Sequence, residues 1–183
     1  MGSPKGSAWE RKFAKDLSLW WSCGQSDDWF WRVLGSGGRA TNRAKQGKTT
    51  AGGYGDICAT DPRGQELLDL CCFELKRGYN FVSVQDLLDK TGRNTFRDFL
   101  DQTTRAASLA GAKYWFLVHK RDRREALVWS NIPMIGPERF IRFYENSQWV
   151  YGSTLDTFFT EGMRRWLKER VDEYRQERVP QNA

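Results

Sequence analysis

The sequence predicts a mixed α/β layer in which helices flank a central sheet, and three observations predict it. Apolar residues recur at helical spacing near the start, at Trp9, Phe13, Leu17 and Trp20/Trp21. Short apolar runs bounded by turn residues follow, at 54–60, 67–76, 114–120 and 126–130. A long amphipathic stripe closes the chain, through Leu155, Phe158, Phe159, Met163, Trp166, Leu167, Val171 and Tyr174. The resulting order is helix, three strands, helix, further strand and closing helix, the pattern of a sheet covered by helices.

Each element has its own signal. Ser7 followed by Glu10 reads as a capping box, so the first helix is expected over 8–22. Trp29–Leu34 reads as a short aromatic strand. Tyr54–Thr60 and Leu67–Lys76 read as a hairpin closed by the turn Asp61-Pro62-Arg63-Gly64. Val84, Leu87 and Leu88 suggest one or two helical turns. Phe96, Phe99, Leu100, Thr103, Ala107 and Leu109 suggest a longer helix stopped by Gly111. Tyr114–Lys120 and Ala126–Ser130 form a second expected hairpin. Residues 131–152 carry no clear period, and Arg139–Tyr144 fits strand or short helix.

With 183 residues and no interdomain linker, one domain is expected over 1–183, with a core at about 6–130 and a helical extension at about 153–176. Lys and Arg number 29 against 23 Asp and Glu, and the resulting net charge of +6 favours a polyanionic partner. No apolar leader and no window near the roughly 18 apolar residues of a membrane span is present, so a cytoplasmic protein without membrane contact is expected. Cys23, Cys58, Cys71 and Cys72 form no CxxC pair, and with His119 as the one histidine a zinc site is not expected. Cys58, Cys71 and Cys72 read as small buried hydrophobes in a reducing compartment. His119 reads as a surface residue at a strand end.

The chemistry concentrates in two runs. Asp56 opens one apolar strand, and Glu74 and Lys76 close the next. Side chains on a strand alternate, so Glu74 and Lys76 share one face while Phe73 and Leu75 point to the other. Two charges on one face of an apolar strand are costly to bury unless they pair or bind a cation. With Asp56 beside them they form a hard-oxygen cation site next to a lysine, the arrangement that activates water against a phosphodiester. The plainer alternative for Glu74 and Lys76 is an ion pair on an edge strand.

Gly6-Ser7-x-x-Glu10 on the first helix, the Gly35-Ser36-Gly37 loop, Gly55-Asp56-Ile57, Phe73-Glu74-Leu75-Lys76 and Gln102 on the next helix together resemble the PD-(D/E)xK nuclease superfamily. The resemblance covers roughly residues 6–120 and is closest to Holliday junction resolvase-like and restriction-endonuclease-like members. It departs from the name-giving motif in one place, where Gly55 stands instead of proline before Asp56. The resemblance implies a restriction-endonuclease-like core, a central mixed sheet in αβββαβ order with a C-terminal helix, and the small chain suits a phage enzyme. It implies a Mg²⁺-dependent (or Mn²⁺-dependent) DNA endonuclease, with branched or structured DNA as a candidate substrate. Asp56, Glu74 and the backbone carbonyl of Leu75 would be the metal ligands, and Mg²⁺ keeps enough waters for that set to suffice. Lys76, beside two carboxylates, is expected to keep its charge and to position and stabilise rather than act as base. Glu10 would serve a second metal or its water, and Gln102 would reach the site from the following helix.

The loop at 35–53 is rich in glycine and basic residues. Ser36, Arg39, Arg43, Lys45 and Lys48 are the candidate DNA contacts, directed at backbone and shape rather than base edges. Arg93, Arg97 and Arg105 extend the expected basic surface. Resolution of a junction would require a homodimer with two symmetric sites. Two other classes compete with the nuclease: a non-catalytic nucleic-acid-binding protein on the same fold, and a phage protein that docks on a partner through its C-terminal helix.

Overall fold

The computed structural model describes residues 4–33, 54–89, 94–136 and 139–178. Helix α1 (Pro4–Trp21) begins before Ser7, so Ser7 lies inside the helix and the expected capping box is not its N-terminus. Strand β1 (Phe30–Arg32) pairs antiparallel with β2 (Ile57–Ala59), with Trp31 opposite Cys58. The hairpin expected between 54–60 and 67–76 is therefore corrected, because β2 turns to β1 and not to the strand after it.

The intervening segment is also corrected. Asp61-Pro62 starts a helix, α2 (Pro62–Leu68), with the Asp61 side chain accepting from the Arg63 amide at 2.9 Å and Pro62 in the first turn. Asp-Pro fits a turn and a helix start equally well, since proline presets φ for both. Gly64 had argued for a turn, but packing requires it: a Cβ there would fall 2.6 Å from the Trp29 carbonyl oxygen.

Strand β3 (Cys71–Arg77) follows, then a short helix α3 (Asp86–Asp89) and the long helix α4 (Thr95–Ala110). Helix α4 is capped at its start by the Asn94 side chain, which accepts from the Phe96 and Arg97 amides, and stopped by Gly111 at φ +68° as its spacing predicts. It carries the chain to β4 (Tyr114–Lys120), parallel to β3 with Lys76 opposite His119. A parallel neighbour requires such a crossover. Strand β5 (Ala126–Ser130) returns antiparallel.

The stretch without a clear period supplies two more strands, β6 (Ile141–Glu145) and β7 (Gln148–Thr154). Their two-residue connection, Asn146-Ser147, holds both residues at positive φ, the geometry that matches strand twist. The sheet order is β3-β4-β5-β7-β6. Two helices end the described chain, α5 (Leu155–Phe158) and α6 (Glu161–Arg178).

Strand alternation builds two cores from one sheet. Phe73, Leu75, Phe116, Val118 and Val128 face α1, α5 and α6, meeting Phe13, Leu17, Phe158, Met163 and Leu167. Phe73 stacks on Phe116 at 5.1 Å, and Phe158 sets its edge to both rings. On the other face Cys72, Trp115, Leu117, Trp129 and Val150 pack under Phe96, Phe99, Leu100 and Ala107. This two-sided burial explains the near-continuous apolar runs of β3 and β4. It also leaves Glu74 and Lys76 on the α4 face, where their spacing predicts them. Among the described residues no helix is long and apolar enough to cross a membrane.

Candidate active site

Gly55 sets the position of the first acid. It adopts φ +80°, which a proline ring held near −65° cannot reach. A Cβ at Gly55 would lie 2.6 Å from the Phe73 carbonyl oxygen. The departure from the name-giving proline therefore has a physical cause: the backbone passes so close to β3, and with such a twist, that only glycine fits. The next residue benefits at once. The Asp56 amide donates to the Phe73 carbonyl at 2.8 Å, and the Asp56 Oδ2 accepts from the Leu75 amide at 2.7 Å.

These two bonds lie on the edge of β3 that faces away from β4. The N–H and C=O of one strand residue leave on the same edge. The Leu75 carbonyl therefore emerges on the Asp56 side, where the resemblance implies a backbone ligand.

Glu74 lies beside Asp56, and both are buried. Glu74 Oε1 accepts from Lys76 Nζ at 2.7 Å and from Gln102 Nε2 at 2.5 Å, and Gln102 Oε1 accepts from the same lysine at 2.9 Å. The three side chains close a ring of hydrogen bonds between β3 and α4. Lys76 also lies 5.3 Å above the Phe99 ring, so one wall of its pocket is aromatic.

Burial, and next the charge on Asp56, push the Glu74 carboxyl from its ordinary value near 4.5 up to about 7; Lys76 opposes them and does not prevail. The acid pair thus holds more negative charge than its one amine neutralises. Asp56, Glu74 and the Leu75 carbonyl are oxygen donors that could hold a divalent cation against that excess. Cys72, on the same face, is pushed up to about 12 by burial and then by these two acids, so it stays a neutral thiol.

The structure thus brings together Asp56, Glu74, Lys76 and Gln102. Glu10 on α1 is bound instead to Arg32, at 3.0 Å between Oε2 and Nη1. Among the described residues no three acidic, histidine or cysteine side chains gather into a metal-binding group. Ser36, Arg39, Arg43, Lys45, Lys48 and Arg93 lie outside the described residues. Arg97 is committed to Glu145 at 2.7 Å, which removes it from the expected basic surface, whereas Arg105 is exposed.

His119 is corrected from surface to buried, at 2 % exposure. Its ring meets the edge of Phe99 at 5.8 Å, and Nε2 lies 3.4 Å from the Gly78 carbonyl oxygen. Burial holds its pKa below the ordinary value. No local pattern encodes this burial, because the position of His119 beside Lys76 follows from the parallel β3–β4 register.

A parallel strand pair with an aspartate at its edge and Glu-x-Lys on the inner face, in a mixed sheet between helices, defines a restriction-endonuclease-like fold of the PD-(D/E)xK superfamily. Within that superfamily the chain belongs to the family described as "Phage putative PDDEXK endonuclease", which matches residues 2–135. No curated protein and no solved structure matches it.

Proposed function

We propose that this chain hydrolyses DNA phosphodiester bonds with a divalent cation, Mg²⁺ or alternatively Mn²⁺, bound by Asp56, Glu74 and the Leu75 carbonyl. The observation that carries the reading is the buried pair Asp56 and Glu74, in which burial, and next the charge on Asp56, lifts the Glu74 carboxyl to about 7. When bound, the cation would polarise the scissile phosphate and make water a better nucleophile at neutral pH. Asp56 is oriented for its part by the Leu75 amide. Glu74 is oriented by Gln102 and Lys76. Lys76 then offers its charge to the phosphoryl oxygens as negative charge builds, and the Gln102 carbonyl keeps the amine in place. Glu10 is proposed for a secondary role, since it would have to release Arg32 to help hold a second cation.

Ser36, Arg39, Arg43, Lys45 and Lys48 are proposed as phosphate contacts on sequence grounds, and the host cytoplasm as the site of action. Branched DNA is the proposed substrate, cut by a homodimer with one active site per strand. A four-way junction and a linear duplex of the same arm sequences test this directly. The expected result is junction cleavage at paired symmetric positions by a species that sediments as a dimer. Equal cleavage of both substrates by a monomer would replace it with a general endonuclease.

A further inference from the structure

The chain that leaves β3 after Arg77 keeps two aromatic residues at the surface. Tyr79 is 47 % exposed and Phe81 78 % exposed, although both lie within five residues of the lysine. Tyr79 adopts φ +47°, an uncommon conformation for a bulky side chain. Its ring rests edge-on against Phe99 at 5.0 Å, and Phe99 is the ring that faces the Lys76 amine.

This loop is held in place. Asn80 and Asp122 exchange two hydrogen bonds, Nδ2 to Oδ2 at 3.2 Å and the Asp122 amide to Asn80 Oδ1 at 2.6 Å. Arg77 pairs with Asp122 at 2.7 Å, the Gly78 amide donates to the Lys120 carbonyl at 3.0 Å, and Val82 is buried below. The loop is thus fastened to the turn between β4 and β5, which carries Arg121, Arg123 and Arg124. Asp122 binds Arg77 and Asn80, and the three arginines of the turn outnumber its two acids, Asp122 and Glu125. Two exposed aromatic side chains are therefore held on a loop fastened to an arginine-rich turn, and Tyr79 reaches the Phe99 ring that faces Lys76.

We propose that Tyr79 and Phe81 form a stacking platform for an unpaired nucleobase of the DNA substrate, with Arg121, Arg123 and Arg124 holding the adjoining phosphates. Aromatic faces accept any base, because every base has a π face, whereas arginines fix the backbone without reading sequence. A paired base in a continuous duplex cannot reach these rings, so the platform selects DNA that offers a displaced base next to the scissile bond. The inference rests on the DNA-cleaving reading above and assigns its site a substrate class.

The test uses a duplex with one 2-aminopurine in a single-nucleotide bulge, and the same duplex fully paired, both in EDTA so that no cleavage occurs. Wild type is expected to bind the bulged duplex about tenfold more tightly than the paired one and to quench the bulged base by stacking. Phe81→Ala and Tyr79→Ala are expected to lose most of that preference and of the quenching. Leu88→Ala, which removes another exposed apolar side chain, is expected to behave as wild type. Unchanged preference and quenching in Phe81→Ala and Tyr79→Ala would overturn the proposal. If wild type cut no DNA with any metal yet showed the quenching, the nuclease reading would fall and the platform would stand. Metal-dependent cleavage with no preference for the bulge would overturn the platform alone.

Discussion

Lys76→Met should slow single-turnover cleavage by about a hundred- to a thousandfold, the usual cost of removing one preorganised charge or donor from a developing oxyanion. The lysine is suited to that task by confinement. Its side chain is 13 % exposed and is held by Glu74 at 2.7 Å and Gln102 at 2.9 Å over the Phe99 ring. A charge so placed needs little reorganisation when phosphate arrives. Methionine keeps the stem and removes only the ammonium, so the acid pair remains to bind a cation. Lys76→Arg should not restore the rate, because a planar fork does not fit a pocket shaped around a point charge. The check is a single-turnover rate beside a Mg²⁺ titration of the same variants. Were Lys76 only a structural ion pair, Lys76→Met would lose stability and keep its rate per folded molecule.

The second large effect concerns Glu74 and pH. A carboxyl whose pKa rises from near 4.5 to about 7 on folding holds its proton longer in the folded state than in the unfolded one. Between those values folding takes up a proton, so stability falls as pH rises and levels off above about 7. The full shift corresponds to about 3 kcal/mol, of which about 2 kcal/mol falls between pH 5 and pH 8. Glu74→Gln removes the titration. In metal-free buffer its stability relative to wild type should therefore be about 2 kcal/mol higher at pH 8 than at pH 5, measured by urea unfolding. Mg²⁺ should stabilise wild type more at pH 8 than at pH 6, since the cation competes with that proton. The variant should bind metal poorly and cut nothing. An equal response of wild type and variant to pH would show that the carboxylates are not in conflict.

How far the sequence could be read follows from which interactions are local. Alternation placed Glu74 and Lys76 on one face and Phe73 and Leu75 on the other, and the two cores bear this out. The stop at Gly111 and the apolar stripe of α6 were legible for the same reason, since each depends on residues a few positions apart. The partner of β2 was not, because a three-residue strand has no period to read, and the Asp61-Pro62 start of α2 resembles a turn. The β6–β7 hairpin was missed because Asn-Ser is a weaker signal than Asn-Gly for positive φ. At the site, spacing picks out Asp56, Glu74 and Lys76 and the resemblance adds Gln102, and the structure sets the four side chains together. The pairing of Glu10 with Arg32 and the burial of His119 needed the tertiary register, which no local pattern encodes.

The central claim is that Asp56 and Glu74 hold a cation for phosphodiester hydrolysis. Cleavage of supercoiled plasmid with Mg²⁺, with Mn²⁺ or with EDTA, by wild type and by Asp56→Ala, tests it most directly. The expected result is nicked and linear product from wild type with either metal, none in EDTA, and none from Asp56→Ala under any condition. Cleavage that persists in EDTA, or in Asp56→Ala at the wild-type rate, would contradict it.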